Sequence, residues 1–169
     1  ELADLRGSVA LVTGARVKIG YQAAIKLLRC GARVIVTTRF PRDAAMRFAA
    51  EPEFATWTER LAIYGLDLRH TPSVEGFCRV LLEHEPRLDY IVNNACQTVR
   101  RPPEYYAHMM ARESAALDTM PAEQRKLLGE YEGLRGYHLL PGGESTLPAA
   151  PAQRALDLAG LTHAAALSQ

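Results

Sequence analysis

Apolar residues follow two different periods along the first half of the chain. Four short runs of apolar and β-branched residues are typical of buried parallel strands, and they cover residues 8–13, 33–38, 60–66 and 88–93. Between these runs the apolar residues recur at steps of three and four, which indicates helices. The predicted helices cover residues 19–30, residues 41–50 and a segment after Thr71. Strand and helix therefore alternate from residue 8 to residue 93.

Residues at the helix ends support these boundaries. Gly31 follows the first helix and is a natural C-terminal stop. Pro41 lies where a first helical turn tolerates proline. Thr71 is expected to cap the third helix, with Pro72 at the first helical position.

Strands joined by helices of this length pair in parallel through right-handed crossovers. The sequence therefore predicts a doubly wound, Rossmann-like α/β sheet with strand order 3-2-1-4. After Asn94 the alternation stops, and no further convincing strand follows. The predicted sheet is thus incomplete and continues into a helical and irregular tail, whose helix candidates are residues 104–117, 121–131 and 151–158.

Composition and charge mainly exclude classes of protein. The 169 residues carry a formal net charge of +1, which argues against a broad basic surface for nucleic acid. Three cysteines without a Cys-x-x-Cys spacing indicate neither a disulfide framework nor a metal site, so a reducing cytoplasm is expected. No apolar stretch approaches the length of a membrane span, and no membrane partner is expected. The first residue is Glu1, which favours a longer or processed polypeptide.

Two glycines lie where a ligand would bind a sheet of this kind. Ligands bind beyond the carboxyl ends of parallel strands, at the point where the winding reverses, here between strands 1 and 4. Gly14 leaves strand 1, and Gly20 lies in the first turn of the following helix, whose backbone N–H groups attract an anion. On its own this pair is equally consistent with an ordinary tight βα turn.

Motifs at three strand ends resemble those of the short-chain dehydrogenase/reductase family. That family has Thr-Gly-x-x-x-Gly-x-Gly after strand 1, Asp and an apolar residue after strand 3, and Asn-Asn-Ala-Gly after strand 4. This chain offers Thr13, Gly14, Ile19 and Gly20, then Asp67 and Leu68, then Asn93, Asn94 and Ala95, in that order. The resemblance covers roughly residues 5–99. It implies a dinucleotide-binding domain at 1–99, with 100–169 as a helical and loop extension of the same domain.

The resemblance also implies which residues contact the cofactor. Asp67 and Leu68 would line the adenine pocket, and Asn93 to Ala95 would approach the adenine ribose, although Asn93 is equally expected to tie strand 4 to its neighbours. The first loop would contribute Thr13, Gly14, Ala15, Arg16, Val17, Lys18, Ile19 and Gly20.

Two residues depart from the family pattern. Lys18 occupies the middle glycine position, where it either crowds the loop or places its ammonium near a phosphate. Cys96 replaces the last glycine and is interpreted as a small residue filling that site.

The end of strand 2 favours NADP(H) over NAD(H). An acidic residue there usually holds a free ribose 2′-hydroxyl, whereas a 2′-phosphate favours arginine. Thr38 stands in the place of the acid and Arg39 follows it. Together with Arg16 and Lys18, Arg39 would give three cations around one phosphate.

The family's catalytic residues are missing from the sequence. The resemblance implies a tyrosine, a lysine four residues later and a serine, which together carry proton transfer beside the hydride donor. None of the three lysines, Lys18, Lys26 and Lys126, follows a tyrosine at that offset. Tyr106 is instead interpreted as a packing residue. No catalytic residue is therefore assigned within this chain.

Two functions are consistent with these observations. The first is the NADP(H)-binding part of an oxidoreductase that moves a hydride between a nicotinamide and a small-molecule carbonyl or alcohol, with a carboxyl-terminal half or a second chain completing the sheet. The second is a dinucleotide-sensing or interaction module without turnover, in which residues 100–169 fold over strand 4. A homo-oligomer is expected by analogy with the family only.

Overall fold

Four parallel strands form the centre of the molecule. The computed structural model describes residues 3–96, 103–115 and 117–129. The strand order is β3-β2-β1-β4, which confirms the predicted fold class and topology. The register places Val12 opposite Val36 and Val36 opposite Ile63. The strands are β1 (Val9–Thr13), β2 (Arg33–Thr38), β3 (Leu61–Gly65) and β4 (Tyr90–Val92).

The helices connect these strands and continue into the extension. They are α1 (Lys18–Arg29), α2 (Pro41–Ala49), α3 (Phe54–Trp57), α4 (Thr71–His84), α5 (Ala107–Ser114) and α6 (Ala122–Lys126). Short 3₁₀ turns cover Thr58–Arg60, Pro103–Tyr106 and Leu117–Thr119. The helix expected at 104–117 is therefore a 3₁₀ turn followed by α5, and α6 is shorter than the predicted 121–131. The candidate at 151–158 lies outside the described residues.

Apolar side chains cover both faces of the sheet. On one face α1 packs Ala24, Ile25 and Leu28 against the sheet, beside Phe48 of α2 and Trp57. Full burial of a side chain such as Leu28 contributes about 1.5–3 kcal/mol to folding. On the other face, Phe77 of α4 forms a second cluster with β1, β2 and β3 residues. Both clusters hold the carboxyl ends of the strands in fixed relative positions.

The cap of α4 differs from the prediction. Thr71 is the first helical residue, and the N-cap is His70, whose ring accepts a hydrogen bond from the Ser73 backbone N–H at 3.3 Å. An imidazole nitrogen thus takes the place of the expected threonine hydroxyl. The helix begins one residue earlier than a Thr71 cap would require.

The described part of the extension lies against β3 rather than over β4. The Ile63 N–H donates to the Leu127 carbonyl oxygen at 2.7 Å, and the Gly129 N–H donates to the Ile63 carbonyl oxygen at 2.8 Å. Burial of Met120 and Leu127 in the first core cluster holds this segment in place. The expectation that the extension covers strand 4 is therefore wrong for its described residues.

No helix within the described part of the chain has both the length and the apolar character that crossing a membrane requires.

Candidate functional site

A cleft of about 600 Å³ opens at the carboxyl ends of the strands. Its walls come from the loops after β1, β2, β3 and β4 and from the 3₁₀ turn before α5. This is the position at which open parallel sheets bind ligands, and the volume is in the range of small-molecule sites. The lining residues are Gly14, Arg16, Val17, Lys18, Ile19, Thr37, Thr38, Arg39, Phe40, Leu66, Asp67, Leu68, Arg69, Asn94, Ala95, Cys96 and Tyr106.

The two glycines of the first loop are required by close packing against the loop after β4. Gly14 has a φ of +67°, and a Cβ atom there would lie 2.8 Å from the Ala95 Cα. A Cβ atom on Gly20 would collide with the Asn94 side-chain amide. These glycines therefore let the β1 and β4 loops approach each other and shape the floor of the cleft.

Thr13 and Asn94 join β1 to the end of β4. The Thr13 hydroxyl oxygen accepts hydrogen bonds from the Asn94 and Ala95 backbone N–H groups, each at 3.0 Å. The Asn94 side-chain amide donates to the carbonyl oxygens of Thr13 and Gly14 at 3.2 and 3.1 Å. Asn94 thus performs the strand-tying role that the sequence also allowed for Asn93.

Lys18 adopts a backbone conformation that favours glycine. Its φ of 55° is the only positive value at a non-glycine position among the described residues. The side chain is exposed at the wall of the cleft, beside the exposed Ile19. Because the first turn of α1 holds no acidic side chain, the partial positive charge of the helix N-terminus is not neutralised there.

The arginine at the end of β2, Arg39, lies near two aromatic rings. The Arg39 guanidinium lies 5.6 Å from the ring centroids of both Phe40 and Tyr106. The Thr38 hydroxyl oxygen is buried and accepts the Phe40 backbone N–H at 3.1 Å, which fixes the turn. The end of β2 therefore has threonine at position 38, where an acidic residue would bind a ribose hydroxyl, and an arginine directly after it.

Arg16 is committed to an ion pair. Its guanidinium lies 2.8 Å from the Asp43 carboxylate, and the side chain is only 18% exposed. Burial favours the neutral form of Asp43, but hydrogen bonds from Arg47 and Arg16 outweigh burial and hold the pKa of this carboxyl below its ordinary value. Arg16 thus lines the cleft while it shares the Asp43 carboxylate with Arg47 and Arg112.

Asp67 is a buried carboxylate at the end of β3. It pairs with Arg69 at 2.6 Å and also accepts the Arg69 backbone N–H at 3.0 Å. Burial opposes ionisation, but these hydrogen bonds and the charge of Arg39 keep the pKa of Asp67 below its usual range. The neighbouring Leu68 is exposed on the cleft wall.

The structure brings most of the expected site residues together. Four expected residues do not line the cleft: Thr13, Ala15, Gly20 and Asn93. The first three pack or hydrogen-bond beneath the residues that form its walls. Sequence reasoning did not assign six wall residues to the site: Thr37, Phe40, Leu66, Arg69, Cys96 and Tyr106. Phe40 directly follows Arg39, and Arg69 directly follows Leu68. Their proximity in sequence to expected site residues could therefore have predicted that they line the cleft. Nothing local marks Tyr106, because only the docking of α5 against α2 brings it to the site.

Comparisons with known proteins agree with this geometry. A family model described as short chain dehydrogenase matches residues 8–117. Human retinol dehydrogenase 14 is 40% identical over 103 residues, which cover 54% of this chain and 31% of that protein. Bovine dehydrogenase/reductase SDR family member 13 is 37% identical over 105 residues, covering 60% of this chain and 28% of that protein.

A solved structure is also similar to this chain. The N-domain of a bacterial malonyl-CoA reductase, solved with NADP, is 28% identical, with a TM-score of 0.45 over 68% of this chain and 23% of that chain. The chain thus spans about a third or less of the length of these relatives. Since the family model covers well over half of the 169 residues, the chain belongs to the short chain dehydrogenase family.

Proposed function

We propose that this chain is the NADP(H)-binding part of an oxidoreductase that transfers a hydride between a nicotinamide and a carbonyl or alcohol. One observation carries the choice of cofactor: Arg39 lies at the end of β2, beside the stacked rings of Phe40 and Tyr106, and it follows Thr38 rather than an acid. Arginine favours a ribose 2′-phosphate, which an acidic residue would repel. The names of the curated relatives, a retinol dehydrogenase and a dehydrogenase/reductase, support an oxidoreductase.

The residues at the cleft have the chemistry that NADP(H) requires. The loop from Gly14 to Ile19 and the N-terminus of α1 would hold the pyrophosphate. Arg39 and Lys18 would hold the 2′-phosphate, with Arg16 in a supporting position because the Asp43 carboxylate holds its guanidinium. The remaining expected cofactor residues are Asp67 and Leu68 at the adenine and Asn94 and Ala95 at the ribose, while Asn93, which does not line the cleft, has no proposed contact.

The bound cofactor would donate the hydride to a carbonyl or accept it from an alcohol, and this chain would supply binding and orientation. We assign the proton-transferring tyrosine, lysine and serine to residues outside these 169, because no tyrosine precedes a lysine by four positions here. The same observation favours the second candidate, a dinucleotide-sensing module. Turnover of a carbonyl or alcohol by the intact protein with NADP(H) would exclude that alternative.

Substitution of Arg39 tests the cofactor assignment. Arg39→Asp removes a charge-assisted contact to the 2′-phosphate and adds repulsion, so NADPH binding should weaken by about 10- to 100-fold. NADH, which lacks this phosphate, should change by less than about threefold. Isothermal titration calorimetry measures both dissociation constants.

A matched control comes from α4. Arg79→Asp makes the same charge change at an exposed arginine outside the cleft, and it should leave both affinities close to those of the original protein. Equal losses for NADPH and NADH in Arg39→Asp would refute the 2′-phosphate assignment. Absence of binding of either nucleotide to the unsubstituted protein would refute the proposed function as a whole.

A further inference from the structure

Tyr106 reaches the cleft from a segment that is distant in sequence from the other walls. It ends the 3₁₀ turn Pro103–Tyr106, after β4, yet its ring stacks on Phe40 at 5.3 Å with an interplanar angle of 26°. The Arg39 guanidinium lies 5.6 Å from each ring. Arg39 therefore lies beside a stacked pair of rings from separate parts of the chain, and Arg16 lies 5.4 Å from the Phe40 centroid as well.

The two rings differ in how firmly they are held. Phe40 is only 3% exposed and is fixed by the core at the end of β2. Tyr106 is half-buried and forms the outer side of the arrangement. A guanidinium that lies against two ring faces loses part of its rotational freedom before any ligand arrives. Such preorganisation raises affinity because less ordering remains to be done on binding.

Contacts away from the cleft hold the segment that carries Tyr106. The buried Glu113 carboxylate accepts the backbone N–H groups of Arg42 and Asp43 at 3.1 and 2.9 Å. Met109 is buried between the same elements. These contacts join α5 to the N-terminus of α2, so Tyr106 is placed by the fold and not by a ligand.

We propose that Tyr106 is a positioning residue that holds Arg39 ready for a ribose 2′-phosphate and so sets the preference for phosphorylated dinucleotides. This inference rests on the proposed NADP(H) function. It assigns part of cofactor selection to the extension after β4, outside the three strand-end motifs. Tyr106 acts here through Arg39 and makes no direct contribution to binding of the adenine ring.

Two fragments of the cofactor test the inference in the full-length protein. 2′,5′-ADP carries the 2′-phosphate, and 5′-AMP lacks it. Tyr106→Leu should weaken binding of 2′,5′-ADP by about three- to tenfold, the range expected for losing one cation–π contact. Binding of 5′-AMP should change by less than about twofold. Tyr106→Phe keeps the ring face and should bind both fragments as the unsubstituted protein does.

Controls separate positioning from folding. Tyr90→Leu changes an exposed tyrosine on β4 outside the cleft and should alter neither affinity. In an Arg39→Met background, Tyr106→Leu should have no further effect on 2′,5′-ADP. If Tyr106→Leu does not fold, Tyr106→Met removes the ring with a longer apolar side chain, and it should show the same selective loss.

Several outcomes would overturn the inference. Equal weakening of both fragments by Tyr106→Leu would indicate direct adenine contact, and no weakening of either would indicate simple packing. A loss in Tyr106→Phe as large as in Tyr106→Leu would also contradict it. If the unsubstituted protein bound 2′,5′-ADP no better than 5′-AMP, the proposed function would fail together with the inference. A preference for 2′,5′-ADP over 5′-AMP that is undiminished in Tyr106→Leu would refute the inference alone.

Discussion

Lys18 is a residue whose side chain and backbone favour different substitutions. Its φ of 55° costs a non-glycine residue about 1–2 kcal/mol. Lys18→Gly should therefore raise the free energy of unfolding by about 1 kcal/mol, measured by urea denaturation. The same change removes an ammonium from the cleft wall, so it should weaken NADPH binding.

Lys26 provides the comparison for Lys18. It is exposed in the middle of α1, where glycine costs about 1 kcal/mol relative to good helix formers. Lys26→Gly should lower the free energy of unfolding and leave NADPH binding unchanged. If both glycine variants were destabilised to the same extent, Lys18 would not hold the strained backbone described above.

The Asp67 carboxyl should make stability depend on pH in the acid range. Hydrogen bonds from Arg69 hold its pKa below the ordinary value despite the opposing effect of burial. A folded-state pKa below the unfolded one stabilises the protein above the unfolded value, and this contribution is lost as the pH falls. The stability difference between the unsubstituted protein and Asp67→Asn should thus be largest near pH 7 and shrink below about pH 4.

Urea denaturation at a series of pH values measures this difference. Arg69→Met is the informative companion, because it leaves the Asp67 carboxyl buried without its main partner and should raise the pKa of that carboxyl. A stability difference for Asp67→Asn that stays constant from pH 7 to pH 3 would contradict the role of the pair.

Site residues at strand ends were predictable from the sequence, whereas ion pairs between distant residues were not. The glycines and Asp67 follow strand ends, and a strand end is visible as a break in local pattern. The pairing of Arg16 with Asp43 is not visible, since those residues are separated by β2 and meet only in the folded protein. Because Asp43 holds Arg16, we propose Arg39 and Lys18 as the main cations of the phosphate site, where the sequence predicted three cations.

Among the helices, α2 is capped by a residue from another helix. The N-cap position, Phe40, has no side chain able to cap, and Glu113 of α5 accepts the orphan N–H groups instead. Glu113→Ala should lower the free energy of unfolding by about 1–2 kcal/mol, as loss of a cap does. Glu113→Gln keeps an oxygen acceptor and should lose less.

An exposed glutamate on α4 calibrates this effect. Glu75 lies on the surface. Glu75→Ala should therefore change the free energy of unfolding by less than about 0.5 kcal/mol. If Glu113→Ala behaved like Glu75→Ala in urea denaturation, α5 would not be docked on α2 as described.

Elements with a repeated apolar pattern were predictable, whereas a very short helix and the docking of α5 were not. The apolar periods of α1 and α4 extend over three turns, so their positions follow from sequence. The four-residue α3 is too short to show a period. The position of α5 depends on Glu113, whose charge suggests a surface residue although the structure buries it.

At the scale of the whole molecule, the placement of the extension followed from no local pattern. The bridge between Leu128 and Ile63 involves one residue of the extension and gives no strand-like run. Burial of Met120 and Leu127 in the core, rather than strand pairing, determines that the extension lies on the β3 side. Long-range packing of this kind leaves little trace in a single sequence.

The sheet consequently has one edge that the described residues leave open. β4 pairs only with β1 within the described ranges, and Tyr90 and Ile91 are 45% and 58% exposed. Central strands open only in global unfolding, whereas an unprotected edge exchanges by local opening. In the 169-residue chain, backbone amides of β4 should therefore exchange with deuterium much faster than those of Val34 to Val36 in β2.

Hydrogen–deuterium exchange with mass spectrometry measures this difference at low protein concentration, where association through the open edge is minimal. In an intact protein whose further residues complete the sheet, the same β4 amides should become as slow as those of β2. Fast exchange of β4 in the intact protein would contradict the proposed completion. Slow exchange of β4 in the 169-residue chain alone would show that this edge is already covered.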